Sequence, residues 1–165
     1  MPKNLPSLRA KRKATFRRLI QRLKKDLKEQ EPYLDRCREY DRDPSFIDEV
    51  KVYFQPLDVS AKTVNGVIIL NENLIESGKW EDIMRYLTHE SIHVLQQEAG
   101  KVQGKVDKDK YLDDENEQEA FRTQIEYMEE HDPPKKVQEY LEQLLDHHNI
   151  KGPKRDHYIR ELTQD

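Results

Sequence analysis

Two histidines and a glutamate lie within five consecutive residues, at the spacing of a metal site on a helix. His89 and His93 are four positions apart, so on an α-helix their imidazoles lie one turn apart on one face and can bind one zinc ion. Glu90 lies beside the pair, where its carboxylate can act as general base without binding the metal. Ser91 and Ile92 complete an HExxH motif, and neither residue breaks a helix. The motif predicts a hydrolytic zinc site; the alternative is a surface helix that carries these residues by chance.

A catalytic zinc site also needs a third protein ligand and an open position for water. The acidic segment 114–119 offers candidates. Glu117 shares its helical face with residues that can pack inward, namely Ala120, Phe121, Gln124 and Met128. Glu119 shares its face with Arg122, and Glu115 is explained by a helix N-terminus, where the dipole favours carboxylates. The periodicity favours Glu117 as the third ligand, with Glu119 as the alternative.

The motif and the later glutamate together resemble the gluzincin group of zinc peptidases. The run Glu117-Gln118-Glu119-Ala120 is similar to the ExxA signature of several minimal families, such as the mitochondrial metalloprotease that assists ATP synthase assembly and the CAAX-processing and HtpX-like peptidases. In those families the metal-binding glutamate stands three residues before the alanine, which corresponds to Glu117. The segment 87–97 also resembles HExxHxxQ segments of uncharacterised bacterial and phage zincins. The resemblance covers residues 64 to 128 and implies a zincin-like fold, Zn²⁺ and peptide-bond hydrolysis.

The sequence departs from these families in two ways. CAAX-type families carry an aspartate after the alanine that orients a zinc histidine, whereas this chain has Phe121. A ligand histidine usually donates its second N–H to an acceptor, so another partner is needed here. The chain also lacks the cysteines typical of the mitochondrial family, so that family's specific biology does not transfer.

Peptide hydrolysis at this site would need a donor for the oxyanion and a surface for the substrate. Four side chains are candidates for the donor: Tyr111, Tyr127, His131 and His157. The segment Val67–Leu70 could present an edge strand to which an extended peptide adds by main-chain hydrogen bonds. The alternative is that these four apolar residues form the buried centre of the sheet.

The elements around the motif indicate an α+β fold. An apolar stripe predicts a helix over 8–29, and the segment around 34–40 is expected to form a second helix or to extend the first. Strand-like residues lie at 50–54 and at 67–70, directly after the Asn65-Gly66 hairpin turn, and predict two or three strands over 50–70. Helices are expected over 79–98 (the motif helix), 114–130, the segment after Pro134, and 156–162, with a flexible connection over 101–113. We predict a minimal zincin-like domain with a small, mostly antiparallel sheet, an active-site helix and a C-terminal helical part.

Charge is distributed unevenly along the 165 residues. Residues 1 to 28 contain eleven Lys/Arg and a single acid, so this segment carries about +10 and the remainder about −14. We divide the chain into a basic amphipathic helix (1–30) and a metallopeptidase domain (31–165). The helix has two interpretations. Its apolar stripe can pack on the domain, or it can act as an electrostatic arm for nucleic acid or an anionic membrane surface. The stripe consists of Phe16, Leu19, Ile20, Leu23 and Leu27.

The single cysteine, Cys37, excludes an intrachain disulfide and favours a reducing compartment such as the cytosol. The basic start lacks the apolar core of a secretory signal, and import into an organelle is the less favoured alternative. No apolar stretch has the length of a transmembrane segment. We expect an enzyme that acts on a peptide or protein substrate. The alternatives are a catalytically silent zincin scaffold and a nucleic-acid-binding protein.

Overall fold

The structure is a computed structural model that describes residues 5–76, 78–101 and 108–163. Two 3₁₀ helices lie at Pro44–Glu49 and Lys108–Asp113. The α-helices are α1 (Leu5–Leu27), α2 (Glu31–Glu39), α3 (Asn73–Glu76), α4 (Trp80–Glu98), α5 (Glu115–His131), α6 (Pro134–His147) and α7 (Pro153–Thr163). The strands are β1 (Val52–Gln55), β2 (Ala61–Val64) and β3 (Val67–Asn71). The predicted α+β class is confirmed, and the helices and strands lie close to their expected positions.

The three strands form a mixed sheet in the order β1-β3-β2. β2 and β3 are antiparallel, whereas β1 runs parallel to β3, so the expectation of a mostly antiparallel sheet is wrong for one of the two pairings. β3 is the central strand, and its Ile68 and Leu70 are fully buried. Val67–Leu70 therefore cannot offer a free edge; the edge strands are β1 and β2. The turn signal at residues 65 and 66 specifies only the local pairing, and the partner of β1 depends on the whole sheet.

The hairpin between β2 and β3 has the two-residue loop that its sequence predicts. Val64 pairs with Val67 across the turn, and the φ angles of Asn65 and Gly66 are 49° and 76°. Positive φ at both central residues is the requirement of a type I′ turn, which explains the asparagine and the glycine. The turn sets the register that aligns Thr63 with Ile68.

Helix α4 lies at the centre of the fold. Every residue from 87 to 96 is buried, because β2 and β3 contact one part of the helix and α1, α2 and α5 contact others. The helix ends at Glu98, and Gly100 follows with a φ of 78°, the left-handed conformation expected after a helix C-terminus. The main-chain N–H of Lys101 donates to the carbonyl of Gln96 at 2.9 Å and closes this end.

The apolar stripe of α1 packs on the rest of the protein, as the first interpretation of the basic helix expects. Leu23 and Leu27 are fully buried in the common core, and the other stripe residues are partly buried against it. Polar contacts support this packing. The Trp80 indole N–H donates to Asp26 at 2.5 Å, and Lys24 Nζ donates to the carbonyl of Val50 at 2.6 Å. The C-terminal half of α1 therefore belongs to the same core as the motif helix.

The connection expected over residues 101–113 lies partly outside the described residues, which omit 102–107. Its last part is a 3₁₀ helix rather than a flexible segment, and Leu112 within it is buried. Within the described residues, none of the helices combines the length and the apolar character that a bilayer crossing requires.

Candidate metal centre

The two motif histidines lie in the middle of α4, where the helix is buried, and their side chains face each other on one side of it. His89 and His93 are 6% and 4% exposed, and their Nε2 atoms lie 3.2 Å apart. Their ring planes are inclined by 72°, so the two rings direct these nitrogens toward one point without stacking. The spacing of four residues on a helix produces this arrangement.

Glu117 completes the group from the first turn of α5. One carboxylate oxygen lies 2.9 Å from Nε2 of His93 and the other 3.3 Å from Nε2 of His89. Asp114 caps the helix by accepting from the main-chain N–H groups of Asn116 and Glu117, which fixes the turn that carries the carboxylate. The three candidate ligand atoms all lie within 4.8 Å of one another, close enough to share one metal ion.

The structure places the alternative ligand, Glu119, outside this group. Its carboxylate accepts hydrogen bonds from Gln96 Nε2 at 3.0 Å and from the Tyr40 hydroxyl at 2.5 Å. Glu117 rather than Glu119 therefore faces the histidine pair, as the periodicity of the helix favours.

The charges of the group stabilise one another in a buried setting. Burial alone would lower the pKa of His93, but the hydrogen bond and negative charge of Glu117 outweigh it and raise this pKa. Burial alone would raise the pKa of Glu117, yet the hydrogen bonds from His89 and His93 hold it well below its usual range. Glu117 is therefore ionised and can act as an anionic ligand.

Glu90 lies beside the group and is held by the sheet. It is 6% exposed, and its Oε2 accepts a hydrogen bond from the Thr63 hydroxyl at 2.8 Å. Glu90 and His89 both line a cavity of about 680 Å³, which is bounded by residues 57–61, α5 and the C-terminal half of α6. The carboxylate is thus next to the histidines and open to a space that a substrate could enter.

A chain of hydrogen bonds fixes His93 from behind. Its Nδ1 lies 2.8 Å from Oε1 of Gln96, and Nε2 of Gln96 donates to the carbonyl of Asn116 at 2.9 Å as well as to Glu119. Because an amide oxygen only accepts, Nδ1 carries a proton, and Nε2, which donates to Glu117 here, is the nitrogen that would bind a metal after losing its own proton. Sequence reasoning did not assign this role to Gln96. The signal was its spacing of three from His93, which places both on one helical face.

The second histidine has no such partner. His89 Nδ1 is buried and forms no hydrogen bond within the described residues. The ring of Phe121 packs against His89 instead in an edge-to-face arrangement, with the centroids 4.5 Å apart and the planes inclined by 67°. Phe121 therefore contacts the imidazole by packing and does not accept a proton from it.

One of the four candidate oxyanion donors lies at the cavity. Tyr111 lines it, interacts with Glu117 through its hydroxyl and stacks on His148 with centroids 5.0 Å apart. Burial and the charge of Glu117 raise the pKa of Tyr111, so its hydroxyl keeps its proton. Tyr127 packs against His131, which binds Gln30, and His157 packs against Tyr158. These three candidates do not line the cavity.

Sequence reasoning gave no role at the site to His148, which directly follows the last residue of α6. His148 is 7% exposed, and both histidines line the cavity. The stack with Tyr111 depends on packing between distant parts of the chain, which a local pattern does not reveal.

No protein-family model, curated protein or solved structure matches this chain. What the site does must therefore be inferred from its own residues.

We expect the purified chain to bind one zinc ion per molecule, and His93→Ala and Glu117→Ala to lose or weaken that binding, because each removes one of three donors. Glu119→Gln should retain the metal, since the amide still accepts from Gln96 and Tyr40. Zinc content after dialysis, measured by mass spectrometry, checks this. Full occupancy in Glu117→Ala together with loss in Glu119→Gln would exclude Glu117 as the third ligand.

Replacing Gln96 by leucine should weaken zinc binding by about 10- to 100-fold, the usual effect of removing a group that orients a ligand. Competition with a chelator of known affinity at fixed pH measures the effect. Gln138→Leu, an exposed substitution on α6, is the matched control and should leave the affinity unchanged. Equal affinities in both variants would mean that Gln96 does not orient His93.

Proposed function

We propose that this chain is a zinc-dependent peptidase in which His89, His93 and Glu117 bind the metal and Glu90 acts as general base. The observation that carries the proposal is a group of three ligand residues, two buried and one partly buried, of which His89 lines one cavity together with the separate carboxylate of Glu90. A purely structural zinc site has four protein ligands, whereas a catalytic site has three and an open position. Three ligands, one of them at a cavity wall beside a fourth, non-ligating carboxylate, favour the catalytic type.

The donor set and its dimensions fit zinc. Two imidazoles and a carboxylate form a common catalytic zinc set, with metal–ligand distances of about 2.0–2.2 Å. Donor atoms at these distances from a tetrahedral centre are about 3.3 Å apart. The two imidazole nitrogens are 3.2 Å apart, and each lies close to one of the two carboxylate oxygens of Glu117, at 2.9 and 3.3 Å. The separation of the two nitrogens is therefore that of two ligands of one tetrahedral ion, and the carboxylate lies within reach of the same point.

The chain's own residues supply the remaining chemistry. Bound zinc would lower the pKa of a water molecule and polarise the scissile carbonyl. Glu90 accepts the proton of the attacking water and delivers it to the leaving amine. Thr63 donates to Oε2 of Glu90 and so holds the carboxylate in one orientation.

Strand β2 is the surface on which we propose that the substrate binds. Among the described residues it pairs only with β3, so its other edge has no strand partner there, and its Thr63 contacts Glu90. An extended peptide can add to such an edge by main-chain hydrogen bonds. A peptide bound in this way would pass close to Glu90. In this proposal β2 replaces Val67–Leu70, the segment of β3 that the sequence analysis considered as the substrate-binding edge.

Tyr111 is the donor that we propose for the oxyanion, because it lines the same cavity as Glu90 and keeps its proton. His148 stacks on the ring and fixes its orientation. We also infer a reducing compartment such as the cytosol, since Cys37 is a free, buried thiol.

Glu90→Gln should reduce turnover of a cleaved peptide by about 10²–10⁴-fold, because an amide cannot accept the proton. Zinc content should stay unchanged, since Glu90 is not in the ligand group. Glu115→Gln, an exposed change at the start of α5, is the control and should retain full activity. Equal turnover by Glu90→Gln and the parent would eliminate this residue as the base. Zinc binding without turnover in the parent would point to a silent scaffold.

Tyr111→Phe should lower kcat by about 10²–10³-fold with a much smaller change in KM, because the hydroxyl acts on charge that develops in the transition state. Steady-state kinetics on one peptide separates the two constants. Tyr53→Phe, at an exposed tyrosine of β1, is the matched control. An unchanged kcat in Tyr111→Phe would assign the oxyanion to another donor.

A further inference from the structure

Arg85 lies on α4 one turn before His89, so both side chains occupy one face of the helix. Both line the same cavity. The Arg85 side chain is 16% exposed, and its Nε is buried without a hydrogen-bond partner in the described part of the chain. A guanidinium with an unused donor in the cavity that Glu90 lines is not explained by the hydrolytic group alone.

The positive charge of Arg85 is only partly balanced. Its nearest carboxylate oxygen, on Asp82, lies 3.7 Å from Nη2, beyond hydrogen-bond distance. Lys136 approaches that same oxygen more closely, at 3.3 Å. Asp82 thus divides its charge between two cations, and Arg85 retains attraction for another anion.

Two tyrosines hold the guanidinium in place. Its carbon lies 5.0 Å from the ring centroid of Tyr86 and 5.1 Å from that of Tyr140. Cation–π contacts at such distances fix the group without using its N–H donors. The N–H donors therefore remain available for a planar partner. Because the side chain is already ordered, it loses less conformational entropy when it binds one.

Arg85 is also the one lysine or arginine among the described residues that line this cavity. Gln124 lies at the same wall, and its Oε1 is buried without a hydrogen-bond partner in the described residues. The cavity therefore combines one fixed cation with neutral polar groups and two acids, Asp58 and Glu90.

We propose that Arg85 binds a carboxylate of the peptide substrate close to the scissile bond, and that the enzyme selects peptides that carry one there. The inference rests on the proposed peptidase function, which it extends to a substrate class. A guanidinium and a carboxylate form two parallel hydrogen bonds, a geometry that Lys does not reproduce. An aspartate or glutamate side chain and a free peptide C-terminus both present this group.

Capture of synthetic peptides by immobilised, zinc-loaded Glu90→Gln protein tests the proposal, because this variant should bind substrates without consuming them. Three random hexapeptide pools serve as probes. The first contains Asp and Glu with an amidated C-terminus, the second contains no acidic residue but has a free C-terminus, and the third is neutral and amidated. The first two pools separate the two sources of the carboxylate.

We expect at least one carboxylate pool to be captured about 10- to 100-fold better than the neutral pool, the range expected for a hydrogen bond between charged groups. Introducing Arg85→Gln into the Glu90→Gln protein should abolish this preference, whereas Arg85→Lys should retain only part of it.

Arg122→Gln on α5, which does not line the cavity, is the control and should leave the preference intact. Equal capture of all pools, or a preference that survives Arg85→Gln, would overturn the proposal. Zinc content and circular dichroism of Arg85→Gln check that the fold is retained.

Cleavage of the same pools by the chain with Glu90 intact separates this proposal from the peptidase function. Capture that depends on Arg85, with no cleavage of any pool, supports the carboxylate site and rejects the peptidase. If the neutral pool is cleaved as rapidly as the two carboxylate pools, the role of Arg85 is rejected and the peptidase function is supported. Absence of both capture and cleavage rejects both.

Discussion

The contact between α4 and α5 is the constraint on which the site depends. It joins two imidazoles from one helix to a carboxylate from the other in the interior of the protein. A charge buried without a partner costs several kcal/mol, so these groups are acceptable inside the protein only because they meet. The cap at Asp114 and the contact of Gln96 with the carbonyl of Asn116 fix the relative position of the two helices where the groups converge.

The other walls of the cavity are built by elements that contribute no candidate ligand. β2 supplies the hydroxyl that orients Glu90, while the 3₁₀ helix before α5 and the end of α6 supply Tyr111 and His148. The cavity therefore lies between a rigid helix pair and a wall that three separate segments build. Such a division places the candidate ligands on the two helices of the interior, and it leaves the rest of the cavity wall to peripheral segments, where residues can change without disturbing the core.

The parts of this structure that the sequence predicted are those with a local physical cause. The four-residue spacing of His89 and His93, the positive φ at Asn65-Gly66 and the inward face of Glu117 each follow from the geometry of a single element. The parallel pairing of β1 and the stack of Tyr111 on His148 depend on residues far apart in the chain, and no periodicity encodes them. Gln96 and Arg85 lie between these cases. Their helical spacing from the histidines can be read from the sequence, but their contacts with residues of other elements cannot.

The two-residue hairpin also controls which side chain faces Glu90. Side chains alternate along β2, so Thr63 points toward α4 while its neighbours, Lys62 and Val64, are exposed. A slip of one residue in the pairing with β3 would turn the threonine to solvent and direct lysine or valine at the carboxylate. The lysine would neutralise the Glu90 carboxylate, and the valine would leave it without a donor. In this fold, insertions and deletions in the turn would therefore keep the contact between Thr63 and Glu90 only when they preserve the parity of the strand.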